Sequence, residues 1–350
     1  MRKDSTKRRA HRIRRARKAA RHQERRHWSR ELYRDSQRAL SRWLRENAPI
    51  TRSVAARHHH ETVRLEGVLC LASRPGPTLK ELLKLDLQLP SCPTLVVVDL
   101  RGVKAIDAAA IVYLCSRIRR IGRRPHTQVA GFYPVADAPT RLLMEAGFDD
   151  FLKSEQVPRR ATGDFRSVKL VVGRRRNERV NPDVAAEVGG FIKALQPSMS
   201  VIEHDSLTLA VSECLENVRV HAYRPRIEYG WYVVGVHDPD RRVSSVAILD
   251  AGRGIFASST ENAPLSDTKG NRKVALLETT KGVRTASMSP ERGKGLSSLR
   301  EMVCDPTCGG SFTVVSSGAM VRWVTGDEPD RIVTVPDVGG TIVVVEVPDP

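Results

Sequence analysis

Three polar residues on one helical stretch have the types and spacing for phosphate chemistry. Within Ser206–Tyr223, SLTLAVSECLENVRVHAY, the residues Glu213, Asn217 and His221 recur at every fourth position. Steps of four drift only about 40° around a helix, so the three side chains share one stripe beside an apolar face. A carboxylate, an amide and an imidazole so aligned can position a metal-bound anion. The same pattern also suits an ordinary amphipathic helix with a wet face. A second candidate follows in Asp250-Ala-Gly252-Arg-Gly254-Ile255, a carboxylate at the end of the apolar run VSSVAILD followed by two glycines. Such a corner projects an acceptor while the glycines permit positive φ and close backbone approach. A third is Arg292-Gly293-Lys294-Gly295-Leu296, a glycine-rich turn running into a helix. Free amides at a helix N-terminus with two cations nearby favour an anion, although a plain turn and cap has the same composition.

The chain around these residues is 350 residues long, enough for two domains of ordinary size. Hydrophobic residues at 40% and charged residues at 28% suit a globular protein. No apolar run is long enough to span a membrane, and the basic N-terminus lacks the apolar core of a secretory signal. A cytoplasmic location is therefore expected. Of the six cysteines, Cys70, Cys92, Cys115, Cys214, Cys304 and Cys308, none forms a CxxC pair, and free thiols are the expectation over a disulfide framework.

The net charge of +18 is concentrated in residues 1–50, where 18 Lys or Arg stand against 5 Asp or Glu, a net +13. This basic tail is expected to be disordered or partly helical, and to meet nucleic acid through counterion release or to remain a solvated arm. Residues 63–153 alternate candidate strands and helices. VRLEGVLCLA, TLVVVDL and HTQVAGFY read as strands, and TLKELLKLDLQL, AIDAAAIVYLCSRIRRIG and APTRLLMEAGF as helices, with Asp107 as an N-cap. Residues 154–166 form a linker rich in Pro, Gly and charge. In residues 167–350, VKLVVG, YGWYVVGVHD, VSSVAILD, GGSFTVVS, AMVRWVTG and GGTIVVVEV read as strands and NPDVAAEVGGFIKAL as a helix. Between about 256 and 292 periodicity is lost, which predicts a lid or an unstructured segment.

Two resemblances organise these pieces. VVVDLRGVKAIDAAAIVYL resembles the STAS domains of bacterial anti-sigma-factor antagonists. It departs from their regulatory members, which carry a phosphorylatable Ser after the second Asp, where this chain has Ala108, Ala109 and Ala110. The resemblance therefore implies a docking or scaffold module without that switch. In the second half, Glu213-x-x-x-Asn217-x-x-x-His221-Ala222 is similar to the N box of the GHKL ATPases, DAGRGI to their G1 box, RGKGL to their G2 box, and Gly340-Thr341 to their last strand motif. The closest branch is the anti-sigma-factor serine kinases.

That resemblance implies a fold and roles. The fold is a Bergerat-type α/β sandwich with a mixed sheet, and the cofactors are ATP and Mg²⁺. Glu213 is the implied general base and Asn217 the Mg²⁺ ligand. Asp250 accepts from the adenine amino group, and Gly252 and Gly254 let the base lie against the backbone. Arg292, Gly293, Lys294, Gly295 and Leu296 serve the phosphates, Thr341 reaches the adenine pocket, and His221 belongs to the same set. The implied function is an ATP-binding regulatory protein in bacterial signalling. It either phosphorylates a partner protein on Ser or Thr or acts as an ATP-gated interaction switch, and homodimers are compatible with both. The alternatives are a nucleic-acid-associated ATPase and a vestigial non-enzymatic scaffold recruited through residues 1–50.

Overall fold

A computed structural model of the chain describes residues 60–87, 95–124, 127–148, 168–173, 186–188, 190–191, 212, 214–215, 230–238, 241–252, 254–256, 271–283, 295–324 and 328–348. The basic tail and the linker lie outside them.

The first half forms a parallel three-stranded sheet in the order β1 (His60–Leu69), β2 (Leu95–Ile106), β3 (Gln128–Phe132). Parallel neighbours need crossovers, and helices supply them. The expected helix in TLKELLKLDLQL occurs as two pieces, α1 (Pro75–Leu82) and α2 (Lys84–Leu87). Next come α3 (Ala108–Gly122), between β2 and β3, and α4 (Asp137–Glu145) after β3. Asp107 caps α3 as its sequence position predicts, with Oδ1 accepting from the Ala110 amide at 2.8 Å. Its Oδ2 accepts from the Ala72 amide at 3.0 Å, so one carboxylate also ties down the loop after β1. Burial pushes this carboxyl up to about 6, against the pull of both amides.

The second half is a seven-stranded sheet. Its strands are β4 (Val168–Gly173), β5 (Trp231–Asp238), β6 (Val243–Asp250), β7 (Ser311–Ser316), β8 (Ala319–Trp323), β9 (Arg331–Thr334) and β10 (Thr341–Pro348). They run in the order β4-β5-β6-β10-β7-β8-β9. Every pairing is antiparallel, so the expected mixed sheet is corrected for the described strands. Tight reversals enforce this. Between β7 and β8 the two residues Ser317 and Gly318 both take positive φ, at 52° and 79°, the signature of a primed hairpin turn.

Part of the segment expected to be a lid or unstructured is helical. Within residues 256–292 stands α5 (Arg272–Thr280), capped by Asn271, whose Oδ1 accepts from the Lys273 and Val274 amides at 3.1 and 3.4 Å. A nine-residue helix offers only two turns of periodicity, too little to stand out from a polar surrounding. The last helix, α6 (Gly295–Val303), begins inside the glycine-rich turn as expected.

Strand alternation divides the large sheet's side chains between two cores. Trp231, Val233, Phe312, Val343 and Val345 pack with Leu276 of α5, Leu299 and Val303 of α6, and Val188, Phe191, Cys214 and Leu215. On the other face, Tyr232, Val234, Ala247, Leu249 and Val344 share a cluster with α3 and with Val96 and Val98 of the parallel sheet. Every residue from Ala108 to Ile118 is buried. AAAIVYLC is apolar all round because α3 is covered on both sides. Ala108–Ala110, at 0% exposure, sit in this shared core. No described helix is long and apolar enough to cross a membrane.

Candidate functional site

The site is built on one row of residues running across four strands. Asp250 ends β6, with Trp231 of β5 as its register partner on one side and Thr341 of β10 on the other. Thr341 in turn pairs with Ser316 of β7. The row brings the carboxylate of DAGRGI beside the threonine of GGTIVVV, two motifs far apart in sequence.

Hydrogen bonds hold the row. The half-buried Asp250 accepts from the Gly252 amide at 2.8 Å and from the Thr341 hydroxyl. Burial outweighs both and pushes the carboxyl up to about 6. Among the described residues no cation pairs with it. The Ser316 hydroxyl lies 3.1 Å from that of Thr341, within 3.0 Å of the Gly340 carbonyl oxygen, and accepts from the Ile255 amide at 2.9 Å. Ser317 Oγ accepts from the Phe256 amide at 3.3 Å. The corner after β6 is therefore fastened by hydroxyls on the β7–β8 turn.

Two glycines are required by this fastening. Gly254 has φ +80°, and a Cβ there would lie 2.6 Å from Ser317 Oγ and 3.0 Å from Ser316 Oγ. A Cβ on Gly340 would run into the Asp250 carbonyl. Of the two glycines expected at positive φ, only Gly254 takes it, and its close neighbours are the protein's own strands. Gly252 contributes its amide instead.

Gly295 and Leu296 open α6, where Gly295 is buried and Leu296 packs on the same apolar cluster as Ile255. Glu213, Asn217, His221, Arg292, Gly293 and Lys294 lie outside the described residues. Helical Cys214 and Leu215, neighbours of Glu213 in the chain, are buried against the large sheet. No group of three metal-ligating His, Cys, Asp or Glu side chains occurs among the described residues.

Sequence reasoning missed Ser316, Ser317 and Arg272. Arg272 Nη1 donates to the Ser317 carbonyl at 3.1 Å and lies 4.0 Å from Asp337 Oδ2, joining α5 to the turn and to the segment before β10. The Ser-Ser-Gly hairpin was visible in the sequence, but its partner across the sheet was not.

Chemically, the row offers a carboxylate acceptor beside two hydroxyls, at a corner whose Gly252, Ile255 and Phe256 amides are taken up by Asp250, Ser316 and Ser317. That suits a ligand presenting N–H donors in a plane. No family model matches this chain, and no curated protein shows significant similarity to it.

Proposed function

We propose that this chain is an ATP-binding regulatory protein with a GHKL-type nucleotide site. The observation that carries the reading is the register pairing of Asp250 with Thr341, joined by a hydrogen bond. Two motifs identified separately in the sequence become one acceptor-and-hydroxyl pair. The donor set fits adenine. An amino group donates to Asp250, and Thr341, whose hydroxyl hydrogen goes to that carboxylate, offers its oxygen as an acceptor to a water that bridges to a ring nitrogen. A guanine presents a carbonyl at the corresponding place and meets repulsion from Asp250.

ATP with Mg²⁺ supplies a transferable phosphoryl group whose charge the metal offsets. Asn217 is the residue assigned to that metal, an amide oxygen suited to an ion that keeps most of its water. Glu213 is the assigned base, taking a proton from a water or a substrate hydroxyl. Gly293, Lys294, Gly295 and Arg292 provide amides and positive charge for the phosphates. The helix α3, buried between the two sheets, supports a regulatory role. It joins the parallel sheet to the back of the sheet that carries Asp250 and Thr341.

The test is titration with Mg²⁺-ATP, followed by phosphate release and label transfer to protein. Native protein should bind ATP. Glu213→Ala should bind without turnover, and Asn217→Ala should lose the Mg²⁺-dependent part of the affinity. Label appearing on a partner assigns a kinase, and free phosphate alone assigns a switch. Absence of ATP binding at millimolar concentration overturns the proposal.

A further inference from the structure

Arg117 is a charged residue in the C-terminal half of α3 and only 7% exposed. It projects from α3 toward the strap Val335–Gly340 that joins β9 to β10. Its Nη2 donates to the Val338 carbonyl, and its Nη1 lies 3.1 Å from Asp86 Oδ2 of α2. The guanidinium sits 4.5 Å from the centre of the Tyr113 ring, and among the described residues Nε has no hydrogen-bond partner. A buried ion pair of this kind gives little net stability compared with an apolar side chain, and its best-attested use is to fix register. What Arg117 fixes is the chain just before the site. Val338 is itself buried, Gly340 is pressed on the Asp250 carbonyl, and Thr341 hydrogen-bonds to the Asp250 side chain.

We infer that Arg117 is a positioning residue for the nucleotide site, holding the Gly340–Thr341 wall against Asp250 from the helix shared by the two sheets. It touches no part of the row itself and acts through the Val338 carbonyl. The ligand named rests on the adenine-nucleotide reading above. Since the strap borders Asp250 and Thr341, loss of the contact should weaken recognition of the base and leave phosphate binding alone. Losing one charge-assisted hydrogen bond at a preorganised wall corresponds to about a tenfold loss of affinity.

The experiment compares native protein, Arg117→Met, Arg117→Lys and the neighbouring core control Ile118→Val. Adenosine and inorganic tripolyphosphate serve as separate probes, and amide hydrogen exchange is followed without ligand. Arg117→Met should bind adenosine about tenfold more weakly, with tripolyphosphate affinity changed less than about twofold. Arg117→Lys should recover part of the loss, and Ile118→Val should bind both probes as native protein does. Exchange at residues 338–342 should quicken in Arg117→Met and stay unchanged in β8. Equal weakening of both probes, or no weakening, overturns the inference. If native protein binds neither probe, the nucleotide reading has failed and exchange alone decides. Unchanged exchange at 338–342 then overturns the positioning role. If Arg117→Met does not fold, Arg117→Lys carries the same comparisons.

Discussion

Protonation of Asp250 should switch off base recognition in a pH range that few carboxylates report. Burial raises this carboxyl to about 6, while the Gly252 amide and the Thr341 hydroxyl partly counter it. A protonated carboxyl turns one of its acceptor oxygens into a donor and no longer attracts an amino group as an anion does. At pH 7.5 nearly all of the groups are ionised, and at pH 5 only about one in eleven, so adenosine affinity should fall about tenfold across that interval. Adenosine is the probe of choice because it has no phosphates to titrate in the same range. Calorimetric titration at half-unit steps from pH 5 to 8 gives the curve. Asp250→Asn keeps an oxygen for the Gly252 amide but has no ionisation, so its affinity should be lower at pH 7.5 and flat with pH. A flat native curve, or a native slope reproduced in Asp250→Asn, refutes the assignment of Asp250 to the base.

Two further predictions concern stability. Asp107 is 4% exposed and its carboxyl is raised from 3.8 to about 6, so the folded state holds the proton more tightly than the unfolded one. Its contribution is fully present below about pH 4 and is lost as pH rises through about 6, so native protein should lose about 2 kcal/mol relative to Asp107→Asn between pH 4.5 and 7.5. Denaturant midpoints for the pair at both pH values give the difference, and parallel profiles refute the reasoning. Gly340→Ala puts a Cβ into the Asp250 carbonyl, whereas Gly339→Ala finds only Arg117 Nη2 at 3.6 Å. The first should cost about 2–3 kcal/mol through overpacking and the second about 1 kcal/mol through its φ of +63°. Thermal or denaturant unfolding ranks them, and the opposite order refutes the account of the β6–β10 contact.

The packing of α3 gives the alanines after Asp107 a structural meaning. Ala108, Ala109 and Ala110 are completely buried, and their small side chains let α3 lie close to what covers it. A hydroxyl there would enter the core between the sheets and need a partner. Their type was read in the sequence as the loss of a switch. The structure adds that the place is occupied by packing.

Local chemistry was legible in the chain itself. Apolar, β-branched runs such as YVVGV and TIVVVEV announced strands, and Asp107 announced a helix start, because strand propensity and cap geometry depend on neighbours in sequence. The same is true of Asp250 at its strand end, whose bond to the Gly252 amide spans two residues. Other features depend on residues distant in the chain. The insertion of β10 between β6 and β7 places Thr341 beside both Asp250 and Ser316, and no local pattern encodes that register. The antiparallel course of the whole large sheet, against the expected mixed one, follows from hairpin turns and from that insertion together. Nothing in RIRRIG sets Arg117 apart from its neighbours; the strap before β10, whose Val338 carbonyl accepts from it, does. Residue types and short spacings specify which side chains can accept, donate or cap. Tertiary structure decided which of them meet, because strand register and burial are fixed by packing over the entire core.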